Sequence, residues 1–246
     1  MLIVTADDYG ADRLATDASL ACGAGGRITA ASAMVFMRDS ERAAELAAGS
    51  TVEFGLHLNF TEGFDGSDVP DVVRRHHDRV RRYLGLHRFA PTVFDPRLQG
   101  SFRAVFEAQC EEYHRLYNAP PRFYNGHHHM HLCANVLLSG LIPRSSRVRN
   151  TFTFGPGEKS AINRLYRAAL RRWIAARYTS TDSFFAVAPA DDLRRLGSLA
   201  QRSHDEVLEL ETHPDNAAEA AVLNGAAFGE LLKSVRLGTF SDIERA

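Results

Sequence analysis

An α/β fold built on a parallel sheet or barrel is the class this sequence predicts, and two observations carry the prediction. Short apolar runs at 2–6, 31–37, 52–58, 122–126, 147–152, 184–188 and 207–211 alternate with amphipathic stretches, as repeated βα units do. Several of these runs end in acids or histidines, so the polar groups fall where the carboxyl ends of parallel strands converge on one rim. A chain of 246 residues that is 45% hydrophobic can bury one sizeable core, which predicts a single domain over 1–246.

The helices follow from capping and periodicity. Ser40 is placed to cap a helix through Ala48, with Glu41 in its first turn and Gly49 just past its end. Phe102, Val105, Phe106, Tyr113, Leu116 and Tyr117 share one face of a second helix. Ile162, Leu165, Tyr166, Leu170, Trp173 and Ile174 form the expected core stripe of a third. Its Lys159, Arg164, Arg167, Arg171, Arg172 and Arg177 are read as the solvated face opposite. Residues 65–90, punctuated by Asp65-Gly66-Ser67-Asp68 and Pro70, carry Arg74, Arg75, His76, His77, Arg79, Arg81 and Arg82. They read as an insertion after the 52–58 run, either a lid over a site or a basic surface helix.

Bulk properties narrow the function class. With 29 basic and 30 acidic residues the net charge is -1, so no overall field points to nucleic acid or to an anionic membrane, and a small-molecule partner is expected. Cys22, Cys110 and Cys133 form no C-x-x-C pair and leave one thiol over from any disulfide scheme, which fits reduced cysteines in a cytoplasmic protein. No basic leader with a long apolar run and no membrane-spanning stretch is seen, and a homo-oligomer is left open.

The chemistry concentrates in a few segments. Asp7-Asp8 closes the first apolar run, and two adjacent carboxylates there repel and cost desolvation unless a cation or helix N-terminus accepts them. On or just past a strand the two splay, so they can take separate roles. His57 sits in the apolar Phe54-Gly55-Leu56-His57-Leu58, where a lone histidine is more often a hydrogen-bonded core residue than a ligand. Asn125-Gly126-His127-His128-His129-Met130-His131 packs four imidazoles into five positions. Extended backbone would put His127, His129 and His131 on one face, and a helix would align His127 with His131. Glu211-Thr212-His213-Pro214 ends the last run in a histidine held extended before proline, a candidate general acid.

Thr5-Ala6-Asp7-Asp8-Tyr9-Gly10, Gly55-Leu56-His57-Leu58, His127-His128-His129-Met130-His131 and Glu211-Thr212-His213-Pro214 together resemble the YdjC-like carbohydrate deacetylase family, in order from residue 1 to about 215. The resemblance implies an irregular parallel (β/α) barrel of the polysaccharide-deacetylase type and hydrolysis of an N-acetyl group on an amino sugar, oligosaccharide or glycoside. It also implies one divalent metal ion on Asp8, His57 and His127, with Asp7 as general base and His213 as acid. Asn125, His129 and His131 are then expected to touch substrate or to orient the ligands. The family favours magnesium, whereas two histidines and a carboxylate favour zinc. Where the family commonly has Asp-Ser and Gly, this chain has Asn125-Gly126 and Asp215. Competing expectations are a metal-dependent phosphoesterase or amidohydrolase on a similar barrel, or a non-catalytic glycan-binding homologue.

Overall fold

The computed structural model describes residues 1–154, 157–189 and 192–244. Six parallel strands, β1 (Leu2–Tyr9), β2 (Ala30–Ala33), β3 (Glu53–Leu58), β4 (Tyr124–Gly126), β5 (Ser183–Ala186) and β6 (Leu208–Thr212), make one sheet in the order β4-β3-β2-β1-β6-β5. The sheet curls into a half-barrel with helices around it, the irregular (β/α) barrel that the sequence predicts. The helices are α1 (Arg13–Ala24), α2 (Ser40–Ala47), α3 (Asp71–Leu84), α4 (Gln99–Tyr117), α5 (Ala134–Leu138), α6 (Ala161–Ala175), α7 (Leu193–Arg202), α8 (Ala217–Leu223) and α9 (Ala226–Lys233).

Strand alternation divides the interior in two. Leu2, Val4 and Ala6 of β1 with Leu208 and Leu210 of β6 join the large core under the helices. Ile3 turns the other way, into a small cluster with Phe123 and Phe240, whose rings stack at 4.0 Å and plug the amino-terminal end of the half-barrel. Thr5 and Asp7 continue the Ile3 side toward the opposite rim. A Cβ at Gly55 would lie 2.6 Å from the Phe123 ring, so glycine is what lets β3 pass that plug.

The 147–152 run is not a strand, and its course explains why it reads as one. Tyr124 N–H donates to Arg147 C=O and Arg149 N–H to Tyr124 C=O, while farther on Thr153 N–H donates to Phe184 C=O. One extended segment thus bonds first to the β4 edge and then to β5, spanning the gap between the two edge strands. It carries Arg149 into the middle of the half-barrel, fully buried.

Helix ends differ from expectation in one place. Ser40 is the first residue of α2 and not its side-chain cap. Its hydroxyl instead accepts from Met37 N–H and donates to Met34 C=O at 3.0 Å each, closing the preceding turn. Asp12 caps α1 by accepting from Ala15 N–H at 3.0 Å, which leaves Asp7 and Asp8 free of that duty.

The predicted faces of α4 and α6 fare differently. Phe102, Val105, Phe106 and Tyr113 of α4 are buried as expected. On α6 only Ile174 is buried, while Ile162 and Leu165 are 82% and 73% exposed. The helix is rotated so that Arg167 reaches inward to Thr151 Oγ1 at 2.7 Å and lies over Phe154. Within 65–90, α3 packs on α4 through buried Val73, Val80 and Leu84, and His77 stacks on Phe64 at 3.8 Å. Among the described residues no helix is long and apolar enough to cross a membrane, and the three cysteines are unpaired thiols.

Candidate active site

The two acids that open the site are separated by a bulge. The β1–β2 register slips between Ala6 and Tyr9, and Asp8 adopts φ 61°, a left-handed conformation costly for a residue with a Cβ. Asp7 therefore stays in register facing the half-barrel interior, while Asp8 is turned onto the rim. Gly10, at φ 84°, completes the turn with no room for a side chain beside Met34 C=O.

On the rim, Asp8 Oδ1 lies 3.1 Å from His57 Nε2 and 2.8 Å from His127 Nδ1. Donor atoms of these three residues all fall within 4.8 Å of one another, one of two such groups among the described residues. Burial would raise the Asp8 pKa, but the hydrogen bonds and charges of His127 and His57 hold it well below the usual carboxylate range. Burial would likewise lower the His127 pKa, and the Asp8 carboxylate raises it instead.

Behind His57 stands a residue that fixes which nitrogen faces Asp8. His57 Nδ1 is 2.8 Å from Asn125 Oδ1 and 3.1 Å from Ser32 Oγ, and Asn125 Nδ2 donates to Asp7 Oδ1 at 3.1 Å. An amide can accept from an imidazole N–H on one side and donate to a carboxylate on the other. A carboxylate at 125 could do the second only when protonated. Asn125 is thus matched to an ionised Asp7. Gly126 is equally constrained, since a Cβ there would sit 2.9 Å from His131 N.

The histidine run is neither strand nor regular helix. His128 and His129 are left-handed, at φ 51° and 58°, inside a kinked 3-10 turn. The four rings consequently diverge. His127 faces Asp8 and His128 Nδ1 lies 3.0 Å from Thr61 Oγ1. His129 Nε2 lies 3.8 Å from Glu211 Oε2, with Phe152 against its ring at 4.6 Å, and His131 is buried with Nε2 3.2 Å from Arg149 C=O. Of the residues expected to touch substrate or orient ligands, Asn125 and His131 are wholly buried, and His129 is partly exposed.

Deeper in, one cation gathers three acids. The Arg149 guanidinium grips Asp7 with both ends of its fork, Nη2 to Oδ1 at 2.8 Å and Nη1 to Oδ2, and also meets Glu209 at 2.7 Å and Glu211 at 3.3 Å. Ser32 Oγ adds a 2.8 Å bond to Asp7. Burial alone would raise the Asp7 pKa, yet Arg149 with His57 drives it far below the normal range. Glu211 goes the other way, pushed up to about 8 by burial and the neighbouring Asp7 charge. One guanidinium cannot offset three ionised carboxylates, and Glu211 holds its proton most readily.

His213 sits over this cluster, its Nε2 3.9 Å from both Asp8 Oδ2 and Glu211 Oε1. Glu219 holds it from behind. The Glu219 carboxylate accepts from Thr212 Oγ and His213 N–H at 2.9 Å each and lies 3.7 Å from His213 Nδ1. Against the lowering effect of burial, Glu219 and the facing acids push the His213 pKa up to about 10. Asp215, by contrast, is exposed in the turn before α8.

Asp8, His57, His127 and His213 thus meet on one rim above Asp7 and Asn125, while His128 and His131 turn to other partners and Asp215 lies outside. They are joined by Arg149, Glu209, Glu211, Glu219 and Ser32, to which motif reading assigns no role. A signal for two of them exists. Leu208-Glu209-Leu210-Glu211 alternates apolar and acidic on a buried strand, so its acidic face demands a buried cation.

A family model described as YdjC-like protein matches residues 1–236. The chain is 28% identical over 137 residues to the chitooligosaccharide deacetylase of Proteus mirabilis (strain HI4320), a match spanning 55% of this chain and 52% of that protein. It is 31% identical over 141 residues to the carbohydrate deacetylase of Mus musculus, spanning 55% and 44%. The chain thus spans about half the length of the curated relatives it matches. A crystal structure from Enterococcus faecalis V583, named for cellobiose-phosphate cleavage, shares the fold with a TM-score of 0.66 at 16% identity, over 98% of this chain and 97% of that one.

Proposed function

Because the chain belongs to the YdjC-like protein family, we propose that it is a metal-dependent carbohydrate N-deacetylase, hydrolysing the acetamide of an N-acetylated amino sugar or oligosaccharide to acetate and a free amine. The observation that carries the reading is the pairing, on one rim, of a two-histidine-one-carboxylate group with a separately buffered acid and a protonated histidine.

Asp8, His57 and His127 would hold the divalent ion, magnesium or zinc. The donor set fits, since His57 keeps Nε2 for the rim while Asn125 takes Nδ1. Such an ion supplies Lewis acidity to the acetamide carbonyl and lowers the pKa of attacking water.

Asp7 is the proposed acceptor of the water proton. It is ionised at neutral pH, and a proton on it would not strand Arg149, which keeps Glu209 and Glu211 as counter-ions. Glu211, within 4.8 Å and titrating higher, is where that proton can rest. His213, protonated at neutral pH and oriented by Glu219, donates to the departing amine, a poor leaving group until protonated. Phe152, stacked on Phe184 at 4.5 Å, offers an aromatic wall beside His129 for the apolar face of a sugar ring.

The test is acetate release from N-acetylated monosaccharides, oligosaccharides and glycosides by metal-stripped protein reconstituted with Mg²⁺, Zn²⁺, Mn²⁺ or Co²⁺. Turnover restored by one of these ions is the expected result. Full activity after exhaustive chelation would remove the metal. Phosphate release from model esters without acetate release would replace the reaction class.

A further inference from the structure

Helix α6 turns a basic face inward, onto the segment that forms the aromatic wall of the rim. Arg164, Arg167 and Arg171 are spaced i, i+3, i+7 and so share one face of the helix. With Thr151, Phe152, Thr153 and Phe154 they line a cavity of about 30 Å³, and among the described residues no carboxylate lines it. Lys159 adds a further cation, its Nζ 5.3 Å from the centre of the Phe154 ring. Glu158 stands exposed in the turn before the helix, outside the lining.

The charge balance here is unlike that around Arg149, which three acids surround. Arg167 is half-buried and spends its hydrogen bonds on neutral oxygens, Thr151 Oγ1 at 2.7 Å and Asn163 Oδ1 at 3.1 Å, with the Phe154 ring beneath it at 4.9 Å. Burial pulls its pKa down, the opposite of Arg149, because no carboxylate offsets the lost hydration. One turn on, the partly buried Arg171 guanidinium makes no ion pair or hydrogen bond among the described residues. Thr151 Oγ1 accepts from Arg167, and Thr153 Oγ1 accepts from Phe184 N–H at 3.2 Å, so each hydroxyl keeps its own proton to donate.

We propose that this cavity is a site for one tetrahedral oxyanion, a phosphate or sulfate group, held by Arg167 and Arg171 with Arg164 and the two threonine hydroxyls around it. Charge calls for an anion, and size selects which. About 30 Å³ is room for about two or three waters, enough for one small oxyanion and far too little for a sugar ring. The ion lies behind Phe152, whose ring packs on His129 at 4.6 Å and is 6.0 Å from Phe154, so filling the cavity ties α6 to the wall beside the proposed catalytic groups. Its source is a free ion or the ester group of a substrate whose sugar lies on the rim, and only the second rests on the proposed deacetylation.

Isothermal titration of inorganic phosphate into the metal-stripped full chain should show one site, displaced by sulfate. Binding should weaken ~10-fold or more in Arg167→Met and in Arg171→Met, and should persist in His213→Gln, which removes a cation from the rim. Arg171→Met breaks no described contact of the fold, so it keeps the test readable if Arg167→Met unfolds. Phosphate should also raise the melting temperature of the wild type more than that of Arg171→Met. These readouts need no turnover. If the ion belongs to a substrate, the ratio of kcat/KM for a phosphorylated over a neutral N-acetylated sugar should fall ~10-fold in Arg171→Met; a ratio that does not move assigns the site to a free ion. No phosphate binding up to ~10 mM, binding that survives both arginine substitutions, or binding lost in His213→Gln overturns the assignment.

Discussion

Asp7 and Asp8 are neighbours in sequence and opposites in surroundings. Asp8, flipped by a left-handed bulge residue, meets two imidazoles at the solvent rim. Asp7 is sealed beneath it by an arginine fork, a serine and an asparagine. Both carboxyls are held ionised, but by means with different consequences. Imidazoles can surrender Asp8 to a cation, whereas Arg149 keeps Asp7 in place whatever binds above. A single residue of register therefore separates the proposed ligand from the proposed base.

The largest expected effect comes from attacking the rim. Asp8→Ala or His57→Ala should abolish stoichiometric metal, read by elemental analysis after dialysis, and bring acetate release to background. Asp7→Asn should keep the metal yet lose ~100-fold or more in kcat, because general-base assistance is removed while the ligands stay. If Asp7→Asn loses metal as fully as Asp8→Ala, the two acids are one ligand set and the contrast collapses. Arg149→Met tests the same boundary through stability. Removing the cation strands Asp7, Glu209 and Glu211 in the interior, a loss of about 3–5 kcal/mol and roughly 10 °C in the melting temperature.

Glu219→Gln should act more weakly and more selectively. The amide still fills the space beside Thr212 and His213 but no longer favours the imidazolium, so kcat should fall ~10-fold with KM little changed. The loss should shrink for an aryl acetate, whose leaving group needs no proton. An equal loss on both substrates would mean that Glu219 only braces the turn.

How much of this was legible depends on whether a pattern is local. Alternation placed the strands, and polar groups at their ends pointed to one rim, because strand period and parallel topology are local rules with a global result. The histidine run was not legible in its detail, since two consecutive left-handed residues, His128 and His129, break both the strand and the helix template. Arg149 escaped because its segment divides its hydrogen bonds between two edge strands. α6 misled because periodicity reports an apolar face without saying what covers it; Arg167, with an inward partner in Thr151, decides the rotation.

The subtlest expected effect is on the pH dependence of stability in metal-stripped protein, where the two sides of the rim pull in opposite directions. His213, raised to about 10 in the fold, contributes stability that is complete below its unfolded pKa near 6.5 and is lost as pH climbs through 10. Glu211, raised to about 8, loses its contribution earlier, from its unfolded pKa near 4.5 up to about 8, since folding favours its neutral form. His129, pressed down to about 3 by burial and the Arg149 charge, does the reverse. It is neutral in the fold and takes a proton on unfolding, so its contribution stands above pH 6.5 and drains away as pH falls toward 3. The gain from His129 and the loss from Glu211 offset each other between about pH 4.5 and 6.5, so the melting temperature should plateau there and fall on both sides. His213→Gln should flatten the alkaline limb and leave the acid one. His129→Phe, which keeps the ring against Phe152 and Phe184, should flatten only the acid limb. If either substitution moves both limbs together, the rim titrates as one coupled cluster, and the division between its two sides is confined to geometry.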